Sequence, residues 1–217
     1  MRIPLWVEAS RLRVLVFGGG SVGTRRARFF RSAGAEVRVV AREVSPELGT
    51  LGVEIKRVDL RMYDPSPDIQ WADVVVIAVS DVELAERLYK LADSMRKLVN
   101  DATDASRTHV VVPYEREVAG LRIAVTSEGA AGTPARLSLD VIEECLERSW
   151  IPLFYAVYSA LKKEAKAKIP DVKKRLRFYQ MLAEDEIFMS HVKNRREEEA
   201  LARGRELLEK VAHNSQA

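Results

Sequence analysis

The stretch that decides the fold is Arg13-Val14-Leu15-Val16-Phe17, followed at once by Gly18-Gly19-Gly20-Ser21-Val22-Gly23. The apolar run Val14–Phe17 predicts a buried strand, and the glycines end it. Ser21–Ala33 then carries Val22, Ala27, Phe29 and Phe30 at roughly helical spacing and closes at Gly34. A G-x-G-x-x-G pattern has mechanical meaning only between a strand and a helix, and here it has both neighbours. Gly18 permits the tight turn, Gly20 lets the backbone approach a pyrophosphate, and Gly23 allows close helix–strand packing. The helix start at Ser21 and Val22 offers unpaired N–H groups and the positive end of the helix dipole to phosphate. A glycine loop that only turns the chain is the competing reading. The agreement of strand, spacing and helix argues against it.

Outward from this turn, strand and helix patterns alternate. Glu36–Val40 predicts a second strand and Val53–Val58 a shorter, more exposed third. Val74–Val79 is uninterrupted and apolar, as suits a strand covered on both faces of a parallel sheet. Asp81–Asp93 places Val82, Leu84, Ala85, Leu88, Leu91 and Ala92 on one helical face, with Asp81 as its cap. Lys97–Val99 and His109–Val112 are further short strand candidates. Such alternation predicts helices packed on a mainly parallel sheet, an α/β fold of Rossmann type. Beyond Pro113 come one strand, Gly120–Thr126, a small-residue loop, Ser127–Thr133, and a helix, Ala135–Arg148, which Pro134 opens. From Ile151 the chain shows helical periodicity alone, broken near Ile169-Pro170-Asp171 and fraying at Asn214–Ala217. The division predicted is 1–112, 113–149 and 150–217.

Composition bounds the rest. The 217 residues carry 35 Lys+Arg against 32 Asp+Glu, so the formal net charge of +3 says nothing for or against nucleic acid. One cysteine forms no internal disulfide, which fits a reducing, cytoplasmic setting. The longest apolar runs fall far short of the roughly 20 residues of a membrane span, and the N-terminus lacks the pattern of a signal peptide. No membrane association is expected. The basic run Lys162–Arg177 reads as a solvated helix face rather than a nucleic-acid contact, because Glu184–Glu186 and Glu197–Glu199 follow it.

Cofactor choice turns on the end of the second strand, Val39-Val40-Ala41-Arg42-Glu43. Glu43, slightly beyond the expected strand end, is about twenty residues past Gly23, where an acidic side chain holds the ribose of NAD. Arg42 would instead meet the 2′-phosphate of NADP. The pattern favours NAD and leaves NADP open. Ser80 and Asp81 follow the buried strand at its carboxyl end, where ligands bind in open α/β sheets. His109 reads as a satisfied strand-end histidine rather than a metal ligand, His191 and His213 as solvated, and Cys145 as a buried small residue. No metal site is expected.

Val16-Phe17-Gly18-Gly19-Gly20-Ser21-Val22-Gly23-Thr24-Arg25-Arg26-Ala27 resembles the V-G-G-G-x-V-A-x-R-K-A opening of precorrin-2 dehydrogenases, the first module of siroheme synthases. Ala33-Gly34-Ala35-Glu36-Val37, Ala78-Val79-Ser80-Asp81, the stretch from Val99-Asn100 to Pro113, and Ala124–Arg136 resemble later family segments in the same order. The resemblance implies a Rossmann domain, a small α+β dimerisation module and a helical C-terminal domain in a homodimer. It implies NAD-dependent oxidation of precorrin-2, a tetrapyrrole, to sirohydrochlorin on the route to siroheme, and some members also insert ferrous iron. The family's catalytic Asp follows the V-N pair. Counted without a gap it falls on Thr103, and with a one-residue slip on Asp104, which is the assignment adopted; Asp101 is the fallback. Ser127 corresponds to a serine near the tetrapyrrole site, and local positive charge in the tail suits a polycarboxylate. The alternative function is a non-catalytic Rossmann regulator that senses NAD(H) and meets a partner through its basic helical tail.

Overall fold

The computed structural model describes residues 2–213; Met1 and the predicted fraying end, Asn214–Ala217, lie outside the described residues. The chain divides into two compact units, Met1–Val112 with Glu128–Ala131, and Pro113–Ser127 with Gly132–Ala217.

The first unit is an α/β sandwich. Its elements are β1 (Arg13–Gly19), α1 (Ser21–Ser32), β2 (Glu36–Val44), β3 (Glu54–Arg57), α2 (Ser66–Trp71), β4 (Val74–Ile77), α3 (Val82–Ser94) and β5 (Leu98–Asp101). The sheet is entirely parallel, in the order β3-β2-β1-β4-β5. Successive strand residues face opposite sides, so β1 serves two cores. Val14 and Val16 pack with Ala27 and Phe30 of α1, whereas Leu15 and Phe17 pack with Ile69 of α2 and with Ala85 and Leu88 of α3. All of β4 is buried, as its unbroken apolar run requires between two strands and two helical layers. The Asp81 carboxylate accepts from Leu84 N at 3.1 Å and caps α3 as the sequence predicts.

Some expectations need correction. β2 runs on to Val44 and pairs with Gly19 across an irregularity in β1, so Arg42 and Glu43 lie inside the strand rather than beyond it. Residues 109–112 form no strand. His109 N and Val110 N both donate to the single carbonyl of Val99, and the Asn100 amide takes the carbonyl of Val110, which replaces a ladder. Helix α2 carries no sequence signal, being only a turn and a half long.

The second unit opens with the antiparallel hairpin β6 (Tyr114–Val118) and β7 (Leu121–Val125). Ala119 (φ 50°) and Gly120 (φ 78°) form its two-residue turn, both left-handed as a tight hairpin demands. β6 is missed by the sequence reading because Glu115, Arg116 and Glu117 disguise it. α4 (Gly132–Arg148) lies against this hairpin. α5 (Ile151–Lys168), α6 (Val172–Glu184), α7 (Glu186–Lys193) and α8 (Glu197–His213) enclose a core of Leu161, Phe178, Leu182, Phe188 and Leu208. The predicted break at Ile169-Pro170-Asp171 is present, and Asp171 caps α6 through Lys174 N. A second break falls at Asp185, which caps α7 through Phe188 N. Cys145 is exposed rather than buried, since it lies on the outward face of α4.

Candidate active site

The sheet order reverses direction between β1 and β4, and ligands in open α/β sheets bind at such a switch point, outside the carboxyl ends of the strands. A cleft of about 530 Å³ lies there. Gly18, Gly19 and Gly20 form its floor, Arg42 and Glu43 one wall, Asp59 and Arg61 another, and the end of β4 with Ser80 and Asp81 the last. The three motif glycines differ in what confines them. Gly18 has φ 107°, and a Cβ on it would meet Ala78 O at 2.3 Å. A Cβ on Gly23 would meet Gly18 O at 2.0 Å. A Cβ on Gly20 would meet nothing within 4 Å, so the space above the N-terminus of α1 is open. Ser21 is exposed there, and Val22 is half-buried. Open space over unpaired helix N–H groups fits the pyrophosphate of a nicotinamide dinucleotide.

Behind the turn, the buried Thr24 hydroxyl donates to Gly20 O at 2.8 Å and lies 2.8 Å from Ser45 Oγ, while Ser45 N donates to Gly19 O. These bonds brace the glycine turn against the end of β2. The Arg42 guanidinium and the Glu43 carboxylate, both strongly exposed, pair at 3.3 Å. Asp81 has no free carboxylate oxygen: one caps α3, and the other takes Arg61 at 2.6 Å. These bonds hold its carboxyl below the usual carboxylate range. Ser80 is exposed beside it.

The turn after β5 lies one strand away. Ala102 N donates to Ile77 O of β4 at 2.9 Å, which sets residues 101–107 along the same carboxyl edge as the cleft. Asp101 is buried. Its Oδ1 accepts from Thr103 N, Thr103 Oγ1 and Asp104 N, and its Oδ2 lies 2.9 Å from Arg107. Asp104 is different. Its Oδ1 accepts from Ser106 N and Oγ, while its Oδ2 meets only Arg107 Nε at 3.5 Å, with the side chain 43% exposed. Those Ser106 bonds, aided by the Arg107 charge, keep its carboxyl below the ordinary range. Thr103, which an ungapped count places on the family's Asp, is occupied as a donor to Asp101.

The small-residue loop approaches this turn. Glu128 (φ 55°) and Gly129 (φ 98°) are left-handed, and a Cβ on Gly129 would lie 2.7 Å from Ala105 Cβ. Arg2 ties the two segments, donating to Glu128 and to the carbonyls of Ala105 and Thr108. Ser127 is half-buried, two residues beyond the end of β7. His109 lies against Tyr89 with its Nδ1 within 3.4 Å of Val99 N, at the start of a segment that forms no strand. No group of three or more His, Cys, Asp or Glu side chains is placed to hold a metal ion among the described residues. Arg61, Arg107 and the Thr24–Ser45 brace went unread because each is an ordinary polar residue without a spacing signature.

Residues 5–114 match the model of a family described as putative NAD(P)-binding. A siroheme synthase of Neisseria meningitidis serogroup C is 32% identical over 82% of this chain and 37% of its own length. A second, from serogroup C serotype 2a, is 32% identical over 98% of this chain and 43% of its own. The siroheme synthase of Mannheimia succiniciproducens is 28% identical over 91% and 41%. The chain belongs to the precorrin-2 dehydrogenase/siroheme synthase family. It spans about two fifths of the length of these family members. The solved structure of SirC, a precorrin-2 dehydrogenase, shares the fold, with TM-score 0.66 and 20% identity over 97% of this chain and 99% of that one. The nicotinamide-cofactor expectation agrees with the family description. No helix among the described residues is long and apolar enough to cross a membrane.

Proposed function

We propose that this chain is an NAD-dependent oxidoreductase that removes a hydride and a proton from precorrin-2 to give sirohydrochlorin. The observation that carries the reading is the Ala102–Ile77 hydrogen bond, which sets a carboxylate-bearing turn beside the strand end that lines the cofactor cleft. A nicotinamide held there would supply the hydride acceptor. The chain's own residues do the rest. The Gly18–Gly23 turn and the first amides of α1 hold the pyrophosphate, and Glu43 accepts from the ribose hydroxyls. A 2′-phosphate at that place would face the Glu43 charge, which supports NAD over NADP. Ser80 and Asp81 border the cleft at the end of β4.

Asp104 takes the proton. It is ionised at neutral pH, and one of its carboxylate oxygens is open toward solvent, as a general base requires. Asp101 lacks such an oxygen and serves as an anchor. Ser127 opens the small-residue loop, and its match to the family's serine supports a contact with the tetrapyrrole. On α4, Leu137, Val141 and Ile142 are exposed apolar residues on neighbouring turns, which supports this helix as a homodimer face.

The test is direct. Protein incubated with precorrin-2 and NAD should produce the absorbance of sirohydrochlorin, and NADP should serve less well. Folded protein that binds NAD(H) yet yields no sirohydrochlorin would return the reading to a non-catalytic NAD(H) sensor.

A further inference from the structure

We infer that Arg107 is the positioning residue that aims and charges Asp104. The inference rests on Asp104 being the proton acceptor and deepens that reading. Arg107 is only 15% exposed and reaches carboxylates on separate segments. One terminal nitrogen lies 2.6 Å from Glu86 of α3. The other lies 2.9 Å from buried Asp101 and donates to Thr103 Oγ1 at 3.2 Å. Its guanidinium also lies over the Tyr89 ring, 5.6 Å from the centroid. The plane of the group is therefore set by α3 on one side and by the end of β5 on the other.

The remaining nitrogen is the informative one. Arg107 Nε is buried without a hydrogen-bond acceptor, and Asp104 Oδ2 lies 3.5 Å from it. A buried donor without a partner is costly, and a shift of Asp104 by a few tenths of an ångström closes the bond. Asp104 Oδ2 is thus the one carboxylate oxygen of the turn with two available positions, against Nε or toward the solvent side. Asp104 N donates to Asp101 Oδ1 at 3.2 Å, so the two acidic residues share one small turn. Without the guanidinium between them their charges repel, and Asp104 binds its proton more tightly.

The experiment compares Arg107→Gln, Arg107→Lys and Asp104→Asn for kcat, KM, the pH dependence of kcat/KM, NAD(H) affinity by fluorescence titration, and Tm. Arg107→Gln should lower kcat about 10- to 100-fold, less than the roughly 10²–10⁴ that a positioned base contributes, since the base itself remains. NAD(H) affinity should stay within about twofold, because Arg107 does not line the cofactor cleft. The acid limb should move up by about one pH unit. Arg107→Lys keeps the charge that Asp101 needs but offers no Nε; its kcat should fall by about 10-fold with Tm and acid limb unmoved. If Arg107→Gln does not fold, Arg107→Lys carries the test, and parental kcat in it overturns the inference. A lowered Tm in Arg107→Gln with parental kcat and acid limb also overturns it, leaving a structural ion pair. Parental kcat in Asp104→Asn removes the proton-acceptor reading itself, and the inference with it. An impaired Asp104→Asn beside unaffected Arg107 variants removes the positioning role alone.

Discussion

The carbonyl oxygen of Gly18 lies 2.0 Å from where a Cβ on Gly23 would stand, so the backbone of the first glycine of the turn leaves no room for a side chain on the last, while Gly18 is itself confined by Ala78 O. Gly20, between them, has open space on that side. Three alanine substitutions should therefore divide. Gly18→Ala and Gly23→Ala should lower Tm, because one forces a left-handed backbone and the other a clash of backbone atoms. Gly20→Ala should leave Tm within about 2 °C of the parent and weaken NAD binding by about tenfold or more, since its Cβ enters only the cofactor's space. Thermal melts with and without NAD check both.

The first unit also holds a buried ionic cluster. Asp68, about 1% exposed, meets Arg38 and Lys56 at 2.6 Å each and accepts from Tyr63 OH at 2.7 Å. Burial pushes its carboxyl up, but the bonds from Lys56, Tyr63 and Arg38 outweigh burial and hold it below the ordinary range. Asp68→Asn should cost about 3–5 kcal/mol at neutral pH, the range for breaking a buried pair. A depressed carboxyl stabilises the fold fully above its unfolded value of about 3.9, and the contribution is lost as pH falls through the lower folded value. The gap between parent and variant in urea denaturation should accordingly be full at pH 7 and narrow below about pH 4.

In the helical unit, a Cβ on Gly204 of α8 would lie 2.2 Å from Leu161 Cδ1, and Leu161 is fully buried on α5. Gly204→Ala gains about 1 kcal/mol of helix propensity but overpacks the contact by about 1–3 kcal/mol. A net loss of about 1 kcal/mol is expected, read as a lower denaturation midpoint; an increase would mean that α5 and α8 can separate at little cost.

Cofactor preference should follow β2. Glu43→Ala should weaken NAD binding by about tenfold, roughly the value of a charge-assisted hydrogen bond, and Arg42→Ala should leave it nearly unchanged. Titration with both nucleotides decides; loss of NADP binding in Arg42→Ala with NAD affinity intact in Glu43→Ala reverses the assignment.

Val141, 66% exposed on α4, tests the proposed homodimer. Val141→Asp places a charge in an apolar contact and should shift the protein to monomer in light scattering at micromolar concentration. An unchanged mass would place the subunit contact elsewhere.

Legibility varied with the kind of signal. β1, the glycine turn and α1 were readable because backbone rules and side-chain period coincide there. β4 was readable because burial on both faces leaves only apolar residues. Asp81 was readable as a cap, but its second bond to Arg61 comes from a residue twenty positions away. β6 and the continuation of β2 were not readable. Charged residues on a solvated hairpin imitate a loop, and the length of β2 depends on Gly19 reaching Val44.

The sequence by itself determined the parallel α/β class, the glycine turn and the helical tail, because local geometry and hydrophobic period act on near neighbours along the chain. Only the tertiary structure separated Asp101 from Asp104. Both are aspartates in one short polar turn, and their difference lies in what surrounds them. Thr103 binds one buried oxygen of Asp101 and Arg107 lies 2.9 Å from the other, while Asp104 keeps a solvent-facing oxygen beside an unsatisfied Arg107 Nε. That distinction depends on the approach of α3, through Glu86 and Tyr89, to the end of β5. Burial and partner geometry, set by segments distant in sequence, give the two aspartates different surroundings, which composition and spacing do not show.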